Sequence, residues 1–151
     1  MSRWIGWAGV LALVAALGGC GMGMQQGPLA ASAIQETKLR AVGELYRLHQ
    51  EMLKKAPRSL KDFNRLGEAS SRGAYGAIRD GEVVVRWQAT LPDTEVEPSS
   101  TMSDEVLAYW KSVPEEGGPV LMLDRSIRKM TAEEFKAARL AGTAEAGPAN
   151  R

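Results

Sequence analysis

Between residues 34 and 56 the apolar positions recur every three or four residues, with Ala41, Leu45, Leu48 and Met52 forming one row and Val42, Tyr46 and Leu53 an adjoining one. That spacing predicts a long amphipathic helix. Lys54 and Lys55 fall in its last turn, where cations suit the carbonyl end of the helix dipole, and Pro57 ends the pattern. Ser59-Leu60-Lys61-Asp62 has the spacing of a capping box with aspartate in place of glutamate. It predicts a short helix through Leu66, closed by Gly67. Beyond a polar turn, residues 74–79 predict one or two further helical turns that stop at Asp80-Gly81.

The pattern then changes to that of strands. Residues 82–88 form a β-branched run, 106–110 a second strand, and 120–123 a segment apolar on both faces and therefore a central strand. Asp124-Arg125-Ser126 turns the chain into a strand over 127–130. Residues 89–103 are rich in Pro, Ser, Thr and acids and predict a surface loop, and 114–119 predict a turn. Thr131-Ala132-Glu133-Glu134 has capping-box spacing and opens a terminal helix reaching about Leu140. The last stretch, 141–151, is small and polar and predicts a disordered tail. The fold class that follows is α+β: a long N-terminal amphipathic helix packed on a small antiparallel sheet of about four strands, with a short C-terminal helix, in one domain over 33–140.

The first twenty residues follow another logic. Arg3 supplements the amino terminus, an apolar run covers 4–17, and Gly18 and Gly19 precede Cys20, the chain's single cysteine. The run falls short of the roughly 20 apolar residues that span a bilayer. Leu17-Gly18-Gly19-Cys20 resembles the lipobox of bacterial lipoproteins. The resemblance implies that the thiol of Cys20 receives a diacylglyceryl group, that the signal peptide 1–19 is cut away, and that the new amino group is acylated with a chain such as palmitate. A lone cysteine forms no internal disulfide, and the Gly- and Met-rich residues after it have no hydrophobic period, so 20–32 predicts a flexible tether. Two acyl chains suffice for stable anchoring. Gly21, rather than an aspartate, follows the cysteine, which implies the outer membrane in a cell with two membranes, with the domain in the periplasm.

Charge narrows the partners. Of 19 Lys and Arg residues only Arg3 precedes Cys20, leaving 18 basic against 18 acidic side chains. Such a neutral balance argues against nucleic acid, whose phosphates require clustered Lys and Arg in excess. Residues 36–65 nonetheless lean basic and 93–105 acidic. A basic helix near an anchor suits a membrane surface, although a solvated helix face is the commoner origin of such a run.

Motifs for catalysis are thin. His49 is the only histidine and falls beside the apolar face of the first helix, so no zinc site can be assembled from His and Cys. Ser126 and Lys129 have the spacing of a Ser-Lys nucleophile pair, but that pair needs a helical turn, and a strand sends positions i and i+3 to opposite faces. Asp93, Glu95 and Glu97 lack the spacing of a calcium loop. Trp87 and Trp110, the tryptophans left after signal cleavage, suit core packing, with an exposed partner-binding patch as the alternative. No cofactor and no metal are expected.

The order of long helix, Pro57, Leu60, Asp62 and Phe63, then sheet, then Gly117-Gly118, Val120, Leu121 and Asp124, together with Tyr46, resembles the globular part of type II secretion pseudopilins and related prepilin-like proteins. The resemblance implies a helix packed on an antiparallel sheet. In that group the last hairpin commonly reads Asp-Gly-Ser-Val, whereas Arg125 stands here at the glycine position, and the chain lacks the pilin-type signal. The function expected is a lipid-anchored cell-envelope protein, monomeric or a small oligomer, that binds or positions another envelope component without catalysis. A pseudopilin-like subunit of a secretion or pilus apparatus is the alternative, and an envelope enzyme the remote one.

Overall fold

A computed structural model describes residues 28–66, 72–95 and 102–144. Helix α1 (Pro28–Leu53) is followed by α2 (Leu60–Phe63), a 3-10 turn (Asn64–Leu66) and α3 (Arg72–Arg79). Strands β1 (Val83–Trp87) and β2 (Glu105–Trp110) come next, then α4 (Val113–Glu116), β3 (Gly118–Met122), β4 (Ile127–Met130) and α5 (Ala132–Ala137). Two short strands, β5 (Arg139–Leu140) and β6 (Thr143–Ala144), end the described chain. The fold is α+β. Among the described residues no helix is long and apolar enough to cross a membrane.

The sheet has six strands in the order β4-β3-β2-β1-β6, with β5 pairing β2 off that path. Its neighbours are antiparallel except for β5, which runs parallel to β2. Four strands were expected from 82 to 130, and those four are present. The other two arise where β1 and β2 separate. These strands pair through Val83 and Trp110, Val84 and Tyr109, and Val85 and Ala108, and then diverge. Residues 139–144 fill the opening: β5 lies against Glu105 and Val106, and β6 against Arg86 and Trp87. The Arg86 guanidinium donates to Ala141 O at 2.8 Å and Gly142 O at 3.1 Å, and the N–H of Ala141 donates to Val106 O at 3.0 Å. Gly142 makes this wedge possible. It has φ +46, and a Cβ there would lie 2.0 Å from Trp87 O. Residues 141–144 therefore belong to the sheet rather than to a disordered tail, because the split exposes backbone groups that need partners. Composition alone does not reveal that need.

Both faces of the sheet are covered. On one, Val83, Val85, Trp87, Leu107, Ala108 and Leu121 pack with Leu39, Val42, Leu45 and Tyr46 of α1 and with Phe63, Ala74 and Ala77. On the other, Val106, Val120 and Met122 pack with Val113 of α4, Phe135 of α5 and Tyr109. A register shift between Val106 and Ala108 lets β2 supply both Leu107 and Ala108 to the first face. Strand β3 lies between β2 and β4 and is buried from Pro119 to Met122, as a segment apolar on both faces requires.

Along α1 the core takes Leu39, Val42, Leu45, Tyr46 and His49, so of the row 41/45/48/52 Leu45 is fully buried and Ala41 packs partly buried against the core, whereas the last two turn away. Leu48 is half-buried and Met52 is 64 % exposed. The apolar stripe is wider than the surface the sheet covers, and the position of the sheet selects which members of both rows turn inward. Helix α1 begins at Pro28, inside the stretch read from sequence as tether. Phe63 of α2 meets Tyr46 edge-on at 6.1 Å and Trp87 at 5.4 Å between ring centroids, plugging the gap between α1 and β1. Asp62 fixes that helix start by accepting the N–H of Arg58 at 2.6 Å and of Ser59 at 3.3 Å. Thr131 and Glu134 form the predicted capping box of α5, with bonds of 3.2 and 2.7 Å. Residues 114–116, expected only to turn, join Val113 in the single helical turn α4, and 118–119 already belong to β3.

Candidate functional site

Where β1 ends, Gln88 adopts φ 62 and the chain continues over 89–95 without regular secondary structure, bending at Pro92, along α1. The helix holds it with side chains. Tyr46 donates its hydroxyl proton to Arg86 O and accepts the N–H of Ala89, each at 3.1 Å. One turn on, the carboxamide of Gln50 pairs both backbone groups of Leu91, accepting N–H at 3.0 Å and donating to the carbonyl at 3.2 Å. The spacing explains the fit: four residues of helix rise about 6 Å, and two residues of extended chain advance about 6.6 Å. Positions 46 and 50 thus match 89 and 91, so α1 serves where a neighbouring strand otherwise would. Burial raises the Tyr46 phenol well above its ordinary range, the Ala89 hydrogen bond opposing that shift.

The grip extends through a partly buried ionic cluster. Arg47 donates to Glu44 at 2.9 Å, to Glu51 at 2.7 Å and to Thr94 O at 3.3 Å. Its hydrogen bond to Glu44 is the main reason its guanidinium is held above the ordinary range, against the opposing cost of desolvation. Arg125 approaches from the β3–β4 hairpin. Its side chain is only 4 % exposed and pairs with Glu44 and Asp93, each at 3.3 Å, while also donating to Glu95 O. Glu44 therefore bridges two arginines. The hairpin is built for this: the N–H of Arg125 donates to Met122 O at 3.0 Å, that of Met122 to Ser126 O at 2.9 Å, and Arg125 has φ 67. A three-residue hairpin needs a left-handed residue at this position, usually glycine. Here arginine adopts the conformation and uses its side chain to tie the hairpin to α1 and to the 93–95 segment.

Asp124, buried next to it, accepts hydrogen bonds from the N–H of Ser103 at 2.8 Å and from the N–H and hydroxyl of Ser126 at 2.9 and 2.6 Å. Burial pushes its carboxyl up, but these bonds together with the charge of Arg128 outweigh burial and hold it below the usual range. Asp124 and Arg125 thus fix the two flanks, 93–95 and 102–103, of the acidic loop. An open cavity of about 300 Å³ lies beside these flanks, lined by Thr90, Pro92, Met102, Ser103, Leu123 and Arg139 among others. Arg139 pairs with Glu105 at its rim, at 3.3 Å.

The residues singled out in the sequence are dispersed. Cys20 and Glu97 lie outside the described residues. Trp87 is 2 % exposed, in the core, so it presents no partner surface. Trp110 is half-buried, its indole N–H donating to Gln35 O at 3.4 Å and its ring lying under the Lys38 ammonium at 5.3 Å. An aromatic patch of Trp87 and Trp110 does not form, because alternation along β1 turns Trp87 onto the face that α1 covers. His49, placed beside the apolar face, is buried: Nδ1 donates to Lys55 O at 3.0 Å, and Nε2 has no partner among the described residues. Ser126 is bound to Asp124 in the turn and Lys129 pairs with Glu36 at 3.4 Å. Asp93 is held by Arg125. Among the described residues no three His, Cys, Asp or Glu side chains gather as a metal site would require.

Sequence reasoning missed Arg47, Gln50 and the side-chain role of Arg125. The one usable signal was an arginine standing where a hairpin calls for glycine. No family model, curated protein or solved structure matches this chain.

Proposed function

We propose that the chain is a lipid-anchored cell-envelope protein, held through Cys20, whose folded domain is a non-catalytic binding or positioning module. The observation that carries the module reading is how the buried charges are used: Arg125, Arg47, Glu44, Asp93 and Asp124 bind one another and the backbone, and so fix both flanks of the acidic loop on the sheet. Side chains used in this way position a surface. The anchor rests on Leu17-Gly18-Gly19-Cys20. In this reading α1 is the long amphipathic helix that links the tether to the domain, and in a cell with two membranes the domain stands in the periplasm on the outer membrane. Cys20→Ser abolishes incorporation of labelled palmitate and leaves an unprocessed or soluble species. If the variant partitions into detergent like the parent, the anchor reading fails.

A second reading, a pseudopilin-like accessory subunit of a secretion or pilus apparatus, is favoured by the hairpin. Arg125 takes the left-handed conformation at the position where those proteins commonly carry glycine. Stable co-purification of secretion components, or labelled filaments in sheared envelope fractions, would put this reading first.

A further inference from the structure

We propose that the end of α1 farthest from the tether, the exposed basic turn carrying Lys54, Lys55, Arg58 and Lys61, is a docking surface for an acidic protein segment. The inference rests on the reading of the chain as a binding module and names the partner class. All four side chains are exposed, and among the described residues none of them makes an ion pair. Of the other described cations, Lys38, Arg47, Arg79, Arg125, Arg128, Lys129 and Arg139 each meet a carboxylate, whereas the exposed Arg40, Lys111 and Lys136 also make no ion pair but lie far from one another in the chain. Within 54–62 the one opposing carboxylate, Asp62, is taken up by backbone N–H groups.

Helix electrostatics account for only part of this concentration. Lys54 and Lys55 follow the carbonyl end of α1, where cations are favoured, but Arg58 precedes α2 and Lys61 lies in its first turn, where they are not. Met52, 64 % exposed, stands two residues before the cluster. An exposed methionine close to an arginine fits the core of a protein interface, which favours Met and Arg, and the three lysines suit its polar rim. An anionic bilayer fits less well. The outward face of α1 beside Met52 carries Glu51 and Glu44, both about half exposed, so a helix laid on anionic headgroups would press carboxylates against them. The helix of 26 residues also sets the basic turn about 39 Å from its tethered end.

The test uses the full chain in detergent and a fluorescein-labelled peptide of glutamates, titrated by anisotropy. The parent binds, with affinity that weakens as salt shortens the screening length. A variant combining Lys54→Gln, Lys55→Gln, Arg58→Gln and Lys61→Gln binds about tenfold more weakly or not at all. A control combining Arg40→Gln, Lys111→Gln and Lys136→Gln, exposed cations elsewhere, stays within about twofold of the parent. Circular dichroism confirms that all three chains are folded. The inference is overturned if the parent does not bind, if the control loses as much as the variant, or if phosphatidylglycerol vesicles are retained through these residues in preference to the peptide. Salt-sensitive self-association lost in the variant overturns it in favour of a second copy. Cys20→Ser binds the peptide like the parent, so the anchor and the basic surface fail separately.

Discussion

Arg125→Gly sets two effects of opposite sign against each other. Glycine relieves the left-handed backbone at φ 67, a gain of about 1 kcal/mol. It also removes a buried guanidinium from Glu44, Asp93 and Glu95 O. Stripping one partner from a fully buried pair costs about 3 to 5 kcal/mol. Here the carboxylates left behind are 46 % and 27 % exposed and regain water, so the loss is nearer 2 to 3 kcal/mol. The balance is a destabilisation of about 1 to 2 kcal/mol. At about 4 °C per kcal/mol for a domain of this size, the melting midpoint falls by roughly 4 to 8 °C. Arg125→Ala keeps the strain and loses the side chain, so it lies about 1 kcal/mol below the glycine variant. Urea unfolding followed by circular dichroism gives the three free energies, and a double-mutant cycle with Glu44→Gln isolates the pair. A glycine variant as stable as the parent would refute the argument, since the ionic cluster would then contribute no more than the strain that it imposes.

Further outcomes follow from neighbouring groups. Because the folded carboxyl of Asp124 is held low, its stabilisation is complete above the unfolded aspartate value of about 3.9 and is lost as pH falls from there through the folded value; Asp124→Asn flattens that acid limb, and an unchanged limb refutes the assignment. Tyr46→Phe orphans the N–H of buried Ala89 and costs about 1 to 3 kcal/mol. Since burial raises the Tyr46 phenol, the parent also loses stability as pH rises above the ordinary tyrosine value of about 10, a loss that the phenylalanine variant lacks. Gly142→Ala forces the wedge away from Trp87 O, so amide exchange of 141–144 accelerates to the rate of unprotected backbone; unchanged protection means that the wedge does not depend on glycine.

What the sequence determined by itself is local. Helical spacing, the breaker at Pro57, the capping boxes at 59 and 131 and the β-branched run at 83–85 each act within a few residues, so the succession of α1, α2, α3, β1 to β4 and α5 and the central place of β3 follow from pattern. Three matters were decided only by tertiary structure. The apolar stripe of α1 is wider than the sheet covers, and the sheet chose Val42 and Tyr46 from one row and Leu45 from the other, together with Leu39. Residues 139–140 read as the end of the terminal helix and 141–144 as a tail, yet the helix stops at Ala137 and the split between β1 and β2 offers these residues unpaired backbone groups, with only Gly142 admitting so close an approach. The site itself is assembled from Glu44, Asp93 and the adjacent pair Asp124-Arg125, three distant stretches of chain whose charges, read singly, look like solvated surface. Burial changes their meaning. A guanidinium taken out of water must find carboxylates and carbonyls, and only the folded chain brings α1, the 93–95 segment and the hairpin close enough to supply them.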